Sequence, residues 1–82
     1  MARVRTIAQS VRDLTGGLDQ FQVEASSVGE LLQALDARYP GLERLVREEM
    51  ALVIDGDMHH DYWNEPLGPH AEVVFLHRIE GG

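Results

Sequence analysis

The spacing of apolar and polar positions predicts short strands alternating with helices in this chain of 82 residues. Residues 3–8 carry β-forming side chains and predict a first strand. Polar and apolar residues alternate with period two over residues 20–24, which indicates a half-exposed second strand. Between them, Val11 and Leu14 are spaced for one helical turn, and Thr15-Gly16-Gly17 is typical of a turn. The short connection favours antiparallel pairing of the two strands.

A helix is predicted from about Val28 to Arg38, where apolar residues recur at helical spacing. Ser27 and Glu30 match a capping box, in which the serine hydroxyl faces the Glu30 amide and the Glu30 carboxylate reaches back. Pro40-Gly41 ends the helix, because proline disfavours helical geometry at the residue before it.

The second half of the chain predicts one more helix and two more strands. Leu42 to Glu49 has the pattern of a short helix, and Met50 to Ile54 that of a strand. The Asp-Gly pair in Asp55-Gly56-Asp57 is typical of a hairpin turn. Residues 58–69 are expected to be irregular, and the β-branched and aromatic run from about Glu72 to His77 predicts the last strand.

The order of elements is therefore β-β-α-β-β, with short extra elements. One amphipathic helix covers one face of one sheet, so we predict an α+β fold of the ubiquitin-like β-grasp type. Its mixed sheet would have four to five strands, with the first and last strands at the centre. Residues 1–78 would form a single domain, and residues 79–82 a flexible tail that ends in Gly-Gly. Two residues without side chains could enter a narrow channel and present the α-carboxylate of Gly82.

Composition narrows the choice of partners. The formal net charge is −7 at pH 7, lysine is absent, and the seven basic residues are arginines. Nucleic acid is therefore not expected as a partner, because its binding proteins concentrate basic residues. The absence of cysteine excludes disulfides, thiolate metal sites and a cysteine nucleophile. No apolar run is long enough for a transmembrane helix and no signal peptide is visible, so we expect no membrane partner and a cytoplasmic location.

Two other groups of residues have competing interpretations. Histidines and aspartates cluster around the predicted hairpin turn and could bind a divalent metal: His59, His60, Asp55, Asp57 and Asp61. Adjacent histidines point in different directions and nothing fixes a third ligand, so we predict no metal site. Tyr62-Trp63 is either an exposed anchor for a partner or a cover over the end of the core, and we favour the cover.

Five stretches in the same order resemble the MoaD/ThiS family of bacterial sulfur carriers, and MoaD, the small subunit of molybdopterin synthase, more than ThiS. They are Ile7-Ala8-Gln9 with Val11-Arg12-Asp13-Leu14, Ser27-Val28-Gly29-Glu30-Leu31-Leu32 with Leu35, Arg38-Tyr39-Pro40-Gly41-Leu42, Leu52-Val53-Ile54-Asp55-Gly56, and Glu72-Val73-Val74-Phe75-Leu76 with Gly81-Gly82. The chain differs from the family at His77-Arg78, where Pro-Pro is usual, and at residues 68–71, where an Asp-Gly-Asp-like turn is common.

The resemblance implies a protein co-substrate rather than an enzyme. An ATP-dependent, ubiquitin-activating-type adenylyltransferase (MoeB/ThiF-like) would adenylate Gly82, and a sulfur donor would convert it to a thiocarboxylate. The sulfur would pass to a synthase large subunit (MoaE-like) or another sulfur-accepting enzyme, with molybdopterin synthesis as the lead pathway. Carriers for cysteine, thiamin or another sulfur metabolite remain open. ATP and the sulfur donor would be used by the partner, and the chain itself would bind no cofactor.

The expected site residues lie at the end of the chain. Gly82 would carry the sulfur, and the positions expected to enter the partner are Gly81, Glu80, Ile79 and Arg78. The expected partner surface comprises Phe75, Val73 and His77, although the sequence leaves open whether Val73 and Phe75 or Val74 and Leu76 face outward. The alternative function is a ubiquitin-like interaction module with an unmodified tail, and a third is a small metal-binding protein.

Overall fold

The computed structural model describes residues 1–78 and has eight regular elements in that range. In chain order they are β1 (Ala2–Thr6), α1 (Gln9–Thr15), β2 (Gln20–Val23), α2 (Val28–Arg38), α3 (Leu42–Glu49), β3 (Met50–Ile54), β4 (Asp57–His59) and β5 (Glu72–His77). The strands form one sheet in the order β2-β1-β5-β3-β4. β1 and β5 are parallel, and the other neighbours are antiparallel. The predicted β-grasp fold, with its first and last strands inside the sheet, is confirmed.

The core lies between one face of this sheet and the helices. Alternation along the strands turns every second side chain toward the helices, where burial removes apolar surface from water. The largest fully buried side chains of this core include Val4 of β1, Val73 and Phe75 of β5, and Leu31, Leu32 and Leu35 of α2. The opposite face of the sheet is not covered by any described helix or strand.

Serine hydroxyls and a loop that is distant in sequence form hydrogen bonds with the start of α2. The Ser27 Oγ accepts the Glu30 amide at 3.2 Å, as the capping box predicts. The Glu30 carboxylate, however, accepts from the hydroxyls of Ser26 and Ser27. The hydrogen bond from Ser26 is the largest of the effects that hold the pKa of Glu30 below its ordinary value.

The loop between β4 and β5 packs over this end of α2. The first amides of a helix lack partners within the helix. Here the Val28 amide donates to the Glu65 carbonyl and the Gly29 amide to the Trp63 carbonyl, both at 3.0 Å. Tyr62 is buried and Trp63 packs against the core. The prediction that this aromatic pair covers the core is therefore confirmed.

Two boundaries differ by two residues from the sequence predictions. Residues 58–69 are not wholly irregular, because Asp57–His59 pairs with β3 as a short edge strand. Its turn has positive φ at Asp55 (49°) and Gly56 (90°), which suits a tight two-residue hairpin.

The first strand is also shorter than predicted, since it ends at Thr6. The Thr6 hydroxyl donates to the Phe75 carbonyl and accepts the Ala8 amide. These bonds turn the chain out of the sheet and toward α1. They leave the Ile7 side chain 85% exposed.

The helices in residues 1–78 are too short to cross a bilayer. The longest, α2, has 11 residues, where about 20 are needed.

Candidate functional site

The last strand, β5, lies in the middle of the sheet and leads to the end of the chain. It pairs with β1 on one side and β3 on the other, so it is bound along both edges. The predicted attachment residue Gly82 and the tail positions Gly81, Glu80 and Ile79 lie outside the described residues. The flexible tail and the division of the chain at residue 78 therefore stay predictions.

Arg78, the last described residue, binds the end of α3. Its amide donates to the Glu49 carbonyl at 3.0 Å. Its Nε donates to the Met50 carbonyl at 3.0 Å and its Nη2 to the Arg47 carbonyl at 3.3 Å. The arginine that was expected to enter a partner with the tail is thus hydrogen-bonded to the folded domain.

The prediction that Val73 and Phe75 supply the partner surface is wrong. Both side chains are fully buried, because the alternation along β5 points them toward the helices. His77 is exposed, and its Nε2 lies 3.3 Å from the Ser10 Oγ at the start of α1.

The outward side of β5 carries the other pair that the sequence left open, Val74 and Leu76. Both are half-buried. Val74 lies opposite Val53 of β3, and Val53 lies opposite Met58 of β4, which is 58% exposed. Ile7 lines a shallow depression with Val74 and Leu76. We call these five residues the apolar sheet face: Ile7, Val53, Met58, Val74 and Leu76.

Charged residues border the apolar sheet face. Arg5 and Asp19 line the same depression as Ile7. Arg3 Nη1 lies 3.7 Å from Glu72 Oε1, an exposed pair that contributes little to stability. An apolar patch with a polar border is typical of a surface that binds another protein.

Three members of this face are absent from the partner surface that the sequence predicts. The sequence patterns place Ile7 and Val53 in strands and Met58 in an irregular segment. The signal that could have found Met58 is the Asp-Gly turn, since a tight hairpin turn implies a partner strand after it. No local signal marks Ile7.

The histidines and aspartates near the β3–β4 turn do not converge. Within residues 1–78 no group of three or more potential metal-binding side chains is close enough to hold one ion. His59 Nδ1 lies instead 3.5 Å from Glu65 Oε1.

A β-grasp sheet whose central last strand leads to a Gly-Gly sequence is the arrangement of ubiquitin-like proteins. The family model described as the ThiS family matches residues 6–82. The chain therefore belongs to the ThiS family of ubiquitin-like sulfur carriers, and the predicted MoaD/ThiS relationship is confirmed. Carriers of this family act with activating enzymes and with sulfur-accepting enzymes.

Solved structures share the fold at low sequence identity. A chain in the Amycolatopsis orientalis BexX/CysO complex is 19% identical with a TM-score of 0.82, and the match covers 100% of both chains. Mycobacterium tuberculosis CysO, described as an antigen, is 14% identical with a TM-score of 0.84, over 96% of this chain and 100% of that one. The small archaeal modifier protein 1 of Methanosarcina acetivorans is 19% identical with a TM-score of 0.77, over 99% and 95%. A search of curated protein sequences gives no match.

Proposed function

We propose that this chain carries sulfur as a thiocarboxylate on Gly82, after adenylation by an ATP-dependent, ubiquitin-activating-type enzyme (MoeB/ThiF-like). One observation carries the proposal. The ThiS family match extends through Gly82, on a fold whose central strand ends at His77. This strand is hydrogen-bonded along both edges, so the residues that precede the tail are held in the sheet.

The proposed chemistry takes place in the partner's active site. A Gly82 carboxylate oxygen attacks the α-phosphorus of ATP, and pyrophosphate leaves. A sulfur nucleophile at the oxidation level of sulfide then attacks the acyl carbon, and AMP leaves. The mixed anhydride is needed because a free carboxylate is a poor electrophile. Gly81 and Gly82 suit this step, since a Cβ would widen the segment that has to enter a channel. The chain is the protein substrate and supplies no catalytic side chain.

The apolar sheet face is the surface we assign to the activating enzyme. Residues 79–82 span at most about 14 Å when fully extended. The partner's nucleotide site must therefore lie within that distance of Arg78. Leu76 is two residues before Arg78, so a partner that receives the tail would also cover this part of the sheet. Burial of the half-exposed Val74 and Leu76 would add apolar contact.

For the sulfur acceptor, molybdopterin synthesis remains our lead, on the strength of the five MoaD-like stretches. The partner would be a MoaE-like large subunit. Cysteine and thiamin synthesis are the alternatives. The pathway is tested by giving the thiocarboxylated chain to each synthase with its precursor and measuring product by mass spectrometry. Product with the molybdopterin precursor alone supports the lead, and product only with another precursor contradicts it.

Adenylation is tested by ATP–pyrophosphate exchange with the activating enzyme of the same organism. We expect exchange with the wild-type chain, and none when Gly82 is deleted or one alanine is added after it. Leu76→Asp should raise the KM for the chain, whereas the matched control Gln33→Asp, on the exposed side of α2, should not. Failure of the wild-type chain to support exchange would contradict the proposal. It would favour the interaction module with an unmodified tail.

A further inference from the structure

Arg78 joins the base of the tail to the end of a helix that lies far from it in sequence. The last carbonyls of any helix lack amide partners within the helix. Arg78 binds three carbonyls where α3 passes into β3: that of Glu49 through its amide, that of Met50 through its Nε and that of Arg47 through its Nη2. Arg47, which supplies one of them, is 31 residues earlier in the chain. We call this set of three hydrogen bonds the Arg78 anchor.

The chemistry of arginine suits this position. The guanidinium is a rigid planar group whose N–H donors diverge, so two of them can reach two carbonyls at once. Its positive charge also lies at the negative end of the α3 dipole. The Tyr62 hydroxyl has one proton to donate and lies 2.8 Å from the Val46 carbonyl oxygen and 3.1 Å from that of Met50. Arg78 and Tyr62 therefore both donate hydrogen bonds to backbone carbonyls at the junction of α3 and β3.

The anchor has a consequence for the residues that follow. A chain segment loses conformational freedom when it enters a partner, and that loss weakens binding. Arg78 is held at its backbone and at the tip of its side chain before any partner binds. The position of Arg78, the residue that precedes the tail, is set by the folded domain to that extent.

We propose that Arg78 is a positioning residue. It fixes the base of the tail on α3, so that less conformational entropy is lost when Gly82 binds in the activating enzyme. This inference rests on the proposed function. It assigns Arg78 a role through the tail rather than a contact of its own with the partner.

The test compares KM and kcat of the chain in ATP–pyrophosphate exchange, at low and high salt and below the unfolding temperature of every variant. Arg78→Gln and Arg78→Lys should each raise KM about five- to thirty-fold, the factor that matches the ordering cost of one residue. Their kcat should be unchanged, because the tail is already ordered once bound. Lysine keeps the charge but lacks the planar donors.

Two control variants separate positioning from other effects. Ser27→Ala removes the side-chain cap of α2, outside the Arg78 anchor, and should lower the unfolding temperature without raising KM. Arg38→Gln makes the same charge change at an exposed site on α2 and should leave KM within two-fold.

Three results would overturn the inference while leaving adenylation intact. The first is an unchanged KM in Arg78→Gln. The second is a wild-type KM in Arg78→Lys with a strong salt dependence, which would mean that Arg78 acts as a charge toward an acidic partner. The third is an equal rise of KM in Ser27→Ala, which would mean that a general loss of stability causes the effect.

Amide hydrogen exchange of the free chain tests the anchor without any enzyme. The amide of residue 78 should be protected in the wild-type chain and exchange faster in Arg78→Gln. An unprotected wild-type amide, or equal protection in the variant, would overturn the inference. If the anchor is present but the wild-type chain supports no exchange of pyrophosphate, the proposed function fails, and the positioning role with it.

Discussion

Val73 and Val74 are neighbours on β5 whose side chains lie on opposite faces of the sheet. Val73 is fully buried among the helices, and Val74 is half-buried on the apolar sheet face. Replacing each by alanine makes the same chemical change in the same strand. Any loss of β-propensity is shared, so the difference between the two variants reports their environments.

The structure gives the expected magnitudes. Val73→Ala removes two buried methyl groups, worth about 1.6 kcal/mol at ~0.8 kcal/mol each. The cavity that remains raises the loss to about 2–3 kcal/mol. Val74→Ala removes groups that are partly in water and leaves no enclosed cavity, so we expect a loss below about 1 kcal/mol. A domain of this size has a total stability of roughly 4–12 kcal/mol, so both variants should fold.

Urea unfolding followed by circular dichroism measures both losses. With a slope of about 1 kcal/mol per molar urea, the midpoint should fall by about 2–3 M for Val73→Ala and by less than about 1 M for Val74→Ala. The two variants should rank the other way for partner binding. Val74→Ala should raise the KM for the chain in adenylation, and Val73→Ala should not. Equal midpoint shifts, or a larger shift for Val74→Ala, would refute the assignment of the two faces.

Three further predictions concern the start of α2 and the end of α3. Ser27→Ala removes the acceptor of the Glu30 amide and should cost about 1 kcal/mol in urea unfolding; no change would show that the hydroxyl does not cap the helix. Gly29→Ala should lower the free energy of unfolding by about 1–2 kcal/mol, although alanine has the higher helix propensity. The new Cβ would lie 3.0 Å from Trp63 Cε2 and 3.2 Å from the Trp63 carbonyl oxygen, which already accepts a hydrogen bond from the Gly29 amide. A stabilised Gly29→Ala would mean that the indole moves aside. Burial raises the pKa of Tyr62, although Arg78 and Arg47 oppose the shift. The neutral phenol therefore stabilises the fold below its ordinary pKa of 10.0, and this contribution is lost as pH rises through the raised pKa. The unfolding temperature should therefore fall above about pH 10 in the wild-type chain and less in Tyr62→Phe; equal alkaline losses would contradict this.

Elements with local signals were predictable from the sequence. The bounds of α2, α3, β3 and β5 agree with the predictions, because the apolar residues in these elements are regularly spaced. Ser27 and Pro40-Gly41 mark the two ends of α2 through interactions with residues close by in the sequence. The β-grasp order follows, since one amphipathic helix covers only one face of one sheet.

The candidate site depends on contacts between distant residues, which the sequence does not display. The apolar sheet face exists because Val53 pairs with both Val74 and Met58, and this register is set by the assembled sheet. A run of apolar residues such as 73–76 does not reveal which side faces water, and the pair expected outside proved to be the buried one. The Arg78 anchor spans 31 residues of sequence, so a pattern read along the chain could assign Arg78 only to the tail.

Intact mass spectrometry of the chain tests the central claim most directly. The chain would be incubated with its activating enzyme, ATP and a sulfide-level sulfur donor, beside a variant that lacks Gly82. The account predicts a mass increase that matches one oxygen replaced by sulfur, on the wild-type chain only and confined to the C-terminal fragment. An unchanged mass, with no acyl-adenylate formed, would contradict it and leave the chain as a ubiquitin-like interaction module.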